Sequence, residues 1–326
     1  MKKYSVLHII FLFGFILISL LSFSQDNDLD NSLNDDLLIG QRYEPVYSQY
    51  DVNGLAINPA YTGSRECFSN IILYRNQWMG FDGAPVTQTL SSHTPFKDEK
   101  NAAGLFLFHE KIGVTDFYEI YGNYAFRFKL GTGKLSLGLK AGATIYQGNF
   151  ADIKANPEGV NNDMYLENES EILPNFGVGV YYYNDRFFAG ASIPKLLSYK
   201  YRASDKVMQS DPKNYDFLVS AGVLIGNSDR IKFKPSFLLR YRLNNTFRID
   251  AGGSFIFANV LWFGGSYRYD NEVVITAEYQ INEQIRLGGA YDMSLGELAG
   301  RTKGSMEFIL RYDFKYRIRA VSPRYF

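Results

Sequence analysis

Polar and apolar residues alternate along most of this chain. In RIKFKPSFLLRYRL, Ile231, Phe233, Pro235, Phe237, Leu239 and Tyr241 fall on one face, and Lys232, Lys234, Ser236, Arg240 and Arg242 on the other. FRIDAGGSFIF, VVITAEYQI and SMEFILRYDF repeat the pattern, with Arg248, Asp250, Glu278, Glu307, Arg311 and Asp313 on the polar side. A period of two over nine to eleven residues predicts strands, not helices. About fourteen such segments can be read, near 68–75, 85–93, 102–110, 116–130, 134–147, 175–183, 186–193, 215–226, 230–243, 246–257, 260–269, 272–281, 284–292 and 303–315.

Two architectures use many alternating strands. A soluble sandwich turns its apolar faces inward. An outer-membrane barrel turns them to lipid and its polar faces to the lumen. The segments are longer than the five or six residues usual in soluble sheets. Aromatics cluster at segment ends, as in VYYYN, FRFKL and SYRYD, where membrane girdles lie. The connections add an independent sign. GTG at 131–133, ND at 184–185, GNSD at 226–229, AN at 258–259 and NE at 282–283 are tight, whereas those near 148–174, 194–214 and 293–302 are long. All the long links fall on one end, with the short links NN near 244–245 and DN near 270–271 as exceptions there, and the other end is mostly tight apart from TPFKDEKN; this is barrel asymmetry with the short turns periplasmic. The fold class expected is therefore all-β: a transmembrane outer-membrane β-barrel of about fourteen antiparallel strands. A barrel of that size is too wide for its own side chains to fill. Its lumen is either open or occupied by a segment of the chain.

Outside the barrel segments, residues 1–24 read as a signal peptide. Lys2 and Lys3 precede the apolar run VLHIIFLFGFILISLL, and Ser22 and Ser24 form a small-residue cleavage site. Residues 25–67 read as a periplasmic N-terminal segment, polar and acidic at first, and 68–326 as the barrel. Within the former, residues 44–67 are expected to fold into or under the barrel from the periplasmic side as a plug. Lys and Arg number 34, as do Asp and Glu, so the chain lacks the basic excess of a nucleic-acid binder. Cys67 is the only cysteine, which excludes an internal disulfide and a multi-thiolate metal site.

The run RNQWMGFDGAP, 75–85, falls at the first outward hairpin. Gly80 and Gly83 suit positive φ there, and Pro85 suits a strand start. VYSQYDVNGLAINPAYTGS at 46–64 and the Arg-x-Gln-Trp-x-x-Phe-x-Gly-Ala-Pro run resemble the opening of the PorP/SprF family. These are outer-membrane barrels of the type IX secretion and gliding machinery of Bacteroidetes. The resemblance continues through GLFLFHEKIGVTDFYEIYGNYAFRF, FAGASIPKLL and LWFGGSYRYDN to the closing SPRYF. It implies an accessory barrel that assists secretion and surface attachment of a cognate adhesin-like protein bearing a C-terminal sorting domain, in contact with periplasmic subunits of the machinery. On that resemblance, Tyr47, Gln49, Tyr50, Asn58, Pro59, Tyr61, Arg75, Gln77, Trp78, Phe81 and Asp82 are the candidate partner-binding residues. The acidic run NNDMYLENESE is a second candidate contact, for a basic partner face.

No catalytic, cofactor or metal site is expected. His93 and His109 fall at opposite ends of the barrel, and Ser91, Ser92 and His93 are successive strand residues, which point alternately to opposite faces. The inward charges Lys140, Arg268, Arg286 and Asp292, with those named above, are expected to pair across the ladder. Two rival readings remain: a passive porin for small solutes and a rim-active hydrolase.

Overall fold

In a computed structural model, the described residues are 47–150, 168–202, 205–209, 212–226, 230–243, 246–269, 271–296 and 299–314. The expected signal peptide, the acidic lead-in, most of the NNDMYLENESE run and the closing SPRYF lie outside them. The strands, in chain order, are β1 Phe68–Asn76, β2 Val86–Pro95, β3 Asn101–Ile112, β4 Thr115–Leu130, β5 Gly133–Gly148, β6 Glu169–Tyr183, β7 Phe187–Ile193, β8 Ser198–Arg202, β9 Asp205–Gln209, β10 Asp216–Val223, β11 Ile231–Arg242, β12 Thr246–Phe257, β13 Leu261–Arg268, β14 Glu272–Gln280, β15 Ile285–Ser294 and β16 Ser305–Phe314.

Fourteen of these close into one antiparallel barrel, each paired with its neighbour and β1 paired with β16. Each of the fourteen expected segments is one barrel strand. The pair β8 and β9 forms a separate two-stranded sheet between β7 and β10, and no strand was expected there. β6 also starts earlier than its apolar alternation, at Glu169. The first residues of β6, Glu169, Ser170 and Glu171, are polar, so the period-two signal is weak there.

The face assignment follows the alternation. Lys140, Lys234, Arg240, Arg242, Asp250, Arg268, Glu278, Arg286, Asp292, Glu307, Arg311 and Asp313 point inward and are buried. Ile249, Phe255, Ile275, Leu287 and Leu310 face outward and are exposed, as lipid-facing residues are in an isolated chain. Outward aromatics form two bands. Tyr74, Tyr118, Phe247, Tyr267 and Tyr291 lie near one mouth, and Phe128, Phe187, Phe257, Tyr279 and Phe314 near the other. Phe247 and Phe257 are ten positions apart on β12. With a strand rise of 3.4 Å and a tilt near 40°, that separation is about 25 Å, the height of an outer-membrane apolar band.

The two mouths differ. At one, all the connections are short: 96–100, 131–132, 184–186, 224–230, 258–260 and 281–284. At the other lie the long connections 149–168, 194–215 and 295–304, with the hairpin 77–85 and the tight turns after β3, β11 and β13. These are called below the short-turn mouth and the loop-rich mouth.

Candidate functional site

The stretch from Tyr47 to Arg65 lies inside the barrel. Its backbone folds on itself before meeting the wall. Val52 N–H and Asn53 N–H both donate to Gln49 O, at 3.1 and 3.2 Å. One helical turn, α1, spans Gly54–Ile57. Asn58 then caps a 3-10 turn, Pro59–Tyr61, by accepting Ala60 N–H on Oδ1 at 2.9 Å. Proline suits that first helical position because its missing N–H is an orphan there anyway. Thr62 Oγ1 donates back to Pro59 O at 2.7 Å. Much of the segment's polar backbone is thus satisfied locally, which buried chain requires.

The wall supplies further partners at two levels. Near the loop-rich mouth, Ser48 N–H and Gln49 N–H each donate to the Glu307 carboxylate at 2.9 Å. Ser48 Oγ lies 2.7 Å from Asp292 and accepts from Arg75 Nη1 at 2.7 Å. Arg75 in turn meets Asp292 at 2.6 Å and Glu307 at 3.3 Å. Arg268 adds contacts to Asp250 at 3.1 Å, to Asp292 at 3.3 Å and to Glu272. Two guanidinium groups therefore bridge four carboxylates around one serine. Lower down, Lys234 pairs with Asp51 at 2.7 Å, and Tyr50 Oη donates to Ser236 Oγ at 3.3 Å. Burial, reinforced by Asp51, pushes the Tyr50 phenol well above its usual value.

Near the short-turn mouth the fit is closer. Asn58 Nδ2 donates to Val180 O at 3.0 Å, and Ser192 Oγ donates to Ile57 O at 2.6 Å. Gly63 N–H donates to His93 Nδ1 at 2.9 Å, while Arg127 donates to Gly63 O. Arg65 closes on Asp313 at 2.9 Å. Leu55, Ala60 and Tyr61 pack with Tyr181, Phe188, Ile256 and Trp262. The wall is hollowed to admit them: a Cβ on Gly138 would collide with the Ala60 backbone, and one on Gly179 with Asn58 Oδ1.

The candidate partner-binding residues separate into two places. Tyr47, Gln49, Tyr50, Asn58, Pro59, Tyr61 and Arg75 are buried in the lumen. Gln77, Trp78, Phe81 and Asp82 lie on the loop-rich rim, where Phe81 is 49% exposed. Gly80 and Gly83 have the expected positive φ, 92° and 74°, and Trp78 also sits at φ 43°. The hairpin is tied to both sides. Met79 exchanges backbone hydrogen bonds with Lys303 and Gly304, each 2.8 Å, and Gly113 N–H donates to Gly83 O at 2.9 Å. Arg75, although it opens the hairpin motif, therefore belongs to the lumen and not to the rim. Sequence reading recognised Asp292 and Glu307 as inward charges but did not connect them to Ser48. It gave no role to Ser192, Gly138 or Gly179, because a wall glycine carries no sign of what it faces.

His93 and His109 are apart, as expected. His93 faces the lumen segment, and His109 Nε2 lies 2.9 Å from Asp116 at the loop-rich mouth. Among the described residues no group of three or more His, Cys, Asp or Glu side chains could hold a metal ion.

A family model described as "Type IX secretion system membrane protein PorP/SprF" matches residues 39–312. No curated relative matches the chain. Among solved structures, the chain is similar to the Acinetobacter baumannii outer membrane protein Omp33, at 8% identity, covering 76% of this chain and 99% of that one, with a TM-score of 0.45. It is similar to the monoaromatic hydrocarbon channel CymD at 11% identity, covering 85% and 95%, with a TM-score of 0.47. A mutant Rh. blastica porin is likewise similar, at 11% identity, 76% and 99% coverage and a TM-score of 0.35.

Proposed function

Because the chain belongs to the PorP/SprF family of type IX secretion system membrane proteins, we propose that it is a non-catalytic accessory barrel of the outer membrane. In this reading its lumen is plugged by residues 47–65. Its loop-rich mouth faces outward and engages a cognate adhesin-like surface protein with a C-terminal sorting domain, in the service of secretion, attachment or gliding. The short-turn mouth then faces periplasmic machinery subunits. One observation carries the choice of attachment over solute transport: the Tyr47–Arg65 stretch is bonded to the wall at both levels of the lumen. A porin needs a continuous polar bore, and here inward charges that would line one are engaged by the segment.

The test combines a native pull-down from outer membranes, read by mass spectrometry, with planar-bilayer recording of the purified barrel. Recovery of a sorting-domain protein or of secretion subunits, with an electrically silent barrel, supports the reading. A barrel recovered alone that conducts ions in long open steps replaces it with the porin.

A further inference from the structure

Towards the short-turn mouth, two like charges face each other across the wall ladder. Arg286, the second residue of β15, stands directly opposite Arg311 of β16. Both side chains are at most 4% exposed. Like charges directly opposite destabilise a sheet, and burial removes the water that would screen them. Their carboxylates are unequally divided. Arg286 has Glu278 at 3.1 Å, and Gln280 Oε1 accepts from its Nε at 2.7 Å. Among the described residues Arg311 has one ion-pair partner, Asp313, at 3.4 Å from a Nε that makes no hydrogen bond. The same Asp313 oxygen is already engaged by Arg65 at 2.9 Å, and the other accepts from Ser69 Oγ at 2.6 Å. The contrast with the loop-rich mouth, where two guanidinium groups bridge four carboxylates, is plain. Neutral donors stand nearby. The Arg286 guanidinium lies over the Trp262 ring, 3.6 Å from its centroid. Trp262 Nε1 and, in the same packed cluster, Tyr61 Oη are buried without a hydrogen-bond partner among the described residues. Buried donors left unmade cost free energy, and what this cluster lacks is an acceptor that carries negative charge.

We infer that the lumen binds one small inorganic anion, a halide or an oxyanion, between the Arg286 and Arg311 guanidinium groups. The ion offsets the opposed charges and gives the Arg311 N–H groups the acceptor that a shared Asp313 does not supply. It sits where Tyr61 and Arg65 of the inner segment meet the wall, so its occupancy adds to the seating of that segment. The inference goes beyond the accessory-barrel reading and stands whichever partner the barrel engages.

Urea unfolding of the protein purified from outer membranes tests it. Bulky sodium gluconate is replaced stepwise by bromide or by sulfate at constant ionic strength, which holds screening fixed. General anion effects act on wild type and on Arg311→Met alike, so the readout is the difference between the two. An anion that binds only the folded state raises the midpoint with its concentration. The expected result is a rise in the wild-type midpoint that exceeds the rise in Arg311→Met. The anion giving the larger excess tells whether the site takes a halide or an oxyanion. Equal responses of the two proteins to both anions overturn the inference. Should Arg311→Met not fold, wild-type crystals soaked in bromide and in selenate replace the variant. An anomalous peak between the two guanidinium groups with either anion supports the site, and its absence with both overturns it.

Discussion

At the scale of single residues, the lumen is governed by desolvated charge. Arg75 is 1% exposed and Glu307 is fully buried. Removing one member of such a pair leaves the other uncompensated, whereas removing both together is far less costly. Arg75→Met is therefore expected to destabilise the folded barrel by about 3–5 kcal/mol, read as a lowered urea midpoint in detergent or vesicles. Adding Glu307→Gln should recover part of that loss; a double variant as unstable as the sum of its singles would disprove the coupling. Tyr50 gives a pH prediction. Its phenol is raised by burial first and by Asp51 second. An acid with a raised folded value stabilises the fold fully below its unfolded value, near pH 10, and that contribution declines as pH climbs beyond it. Wild type should thus lose stability above pH 10 more steeply than Tyr50→Phe, in unfolding curves taken at successive pH values.

At the scale of elements, the seat of the inner segment is made by absence of side chains. The double variant Gly138→Ala/Gly179→Ala places methyl groups against Ala60 and Asn58, and is expected to unseat the segment without opening the barrel. Single-channel recordings should then show larger or more frequent openings. Gly122→Ala is the control, because its added carbon would meet only Ala141 O at 3.8 Å. Unchanged conductance in the double variant would show that the turn Pro59–Tyr61 tolerates the intrusion. The same elements show what sequence could convey. Every wall strand was legible because one side faces lipid and the other polar lumen, so each residue declares its face by its chemistry. β8 and β9 pair only with each other and lie outside the barrel wall, and the period-two reading did not find them. INPAYTGS was legible as distinctive and as part of a plug, but not in its seat. Its composition does not say which wall strands it meets, and only the opposing glycines and carbonyls of β5, β6 and β7 reveal the seat.

At the scale of the whole molecule, fourteen strands enclose more width than their own side chains fill, and the chain contributes its own filling. The barrel is also closed by its ends: β1 pairs with β16 along Phe68–Asn76, joining residues more than 200 positions apart. Joining such distant residues carries a loop-closure cost that makes this seam a late step in folding. The stretch from Tyr47 to Arg65 lies immediately ahead of β1, and it is encircled once that seam zips. Encirclement is then a matter of timing. A chain that shuts before its leader has settled would be trapped outside its own ground state, with only reopening of the seam as an exit. Refolding therefore makes a prediction. A barrel lacking residues 47–65, folded to completion, should not be resealed by that stretch added later as a free peptide, whereas the same peptide present from the first moment of refolding should be captured. Equal capture at both times, measured by retention of a labelled peptide, would mean that the stopper slides in from the mouth and that the order of closure does not matter.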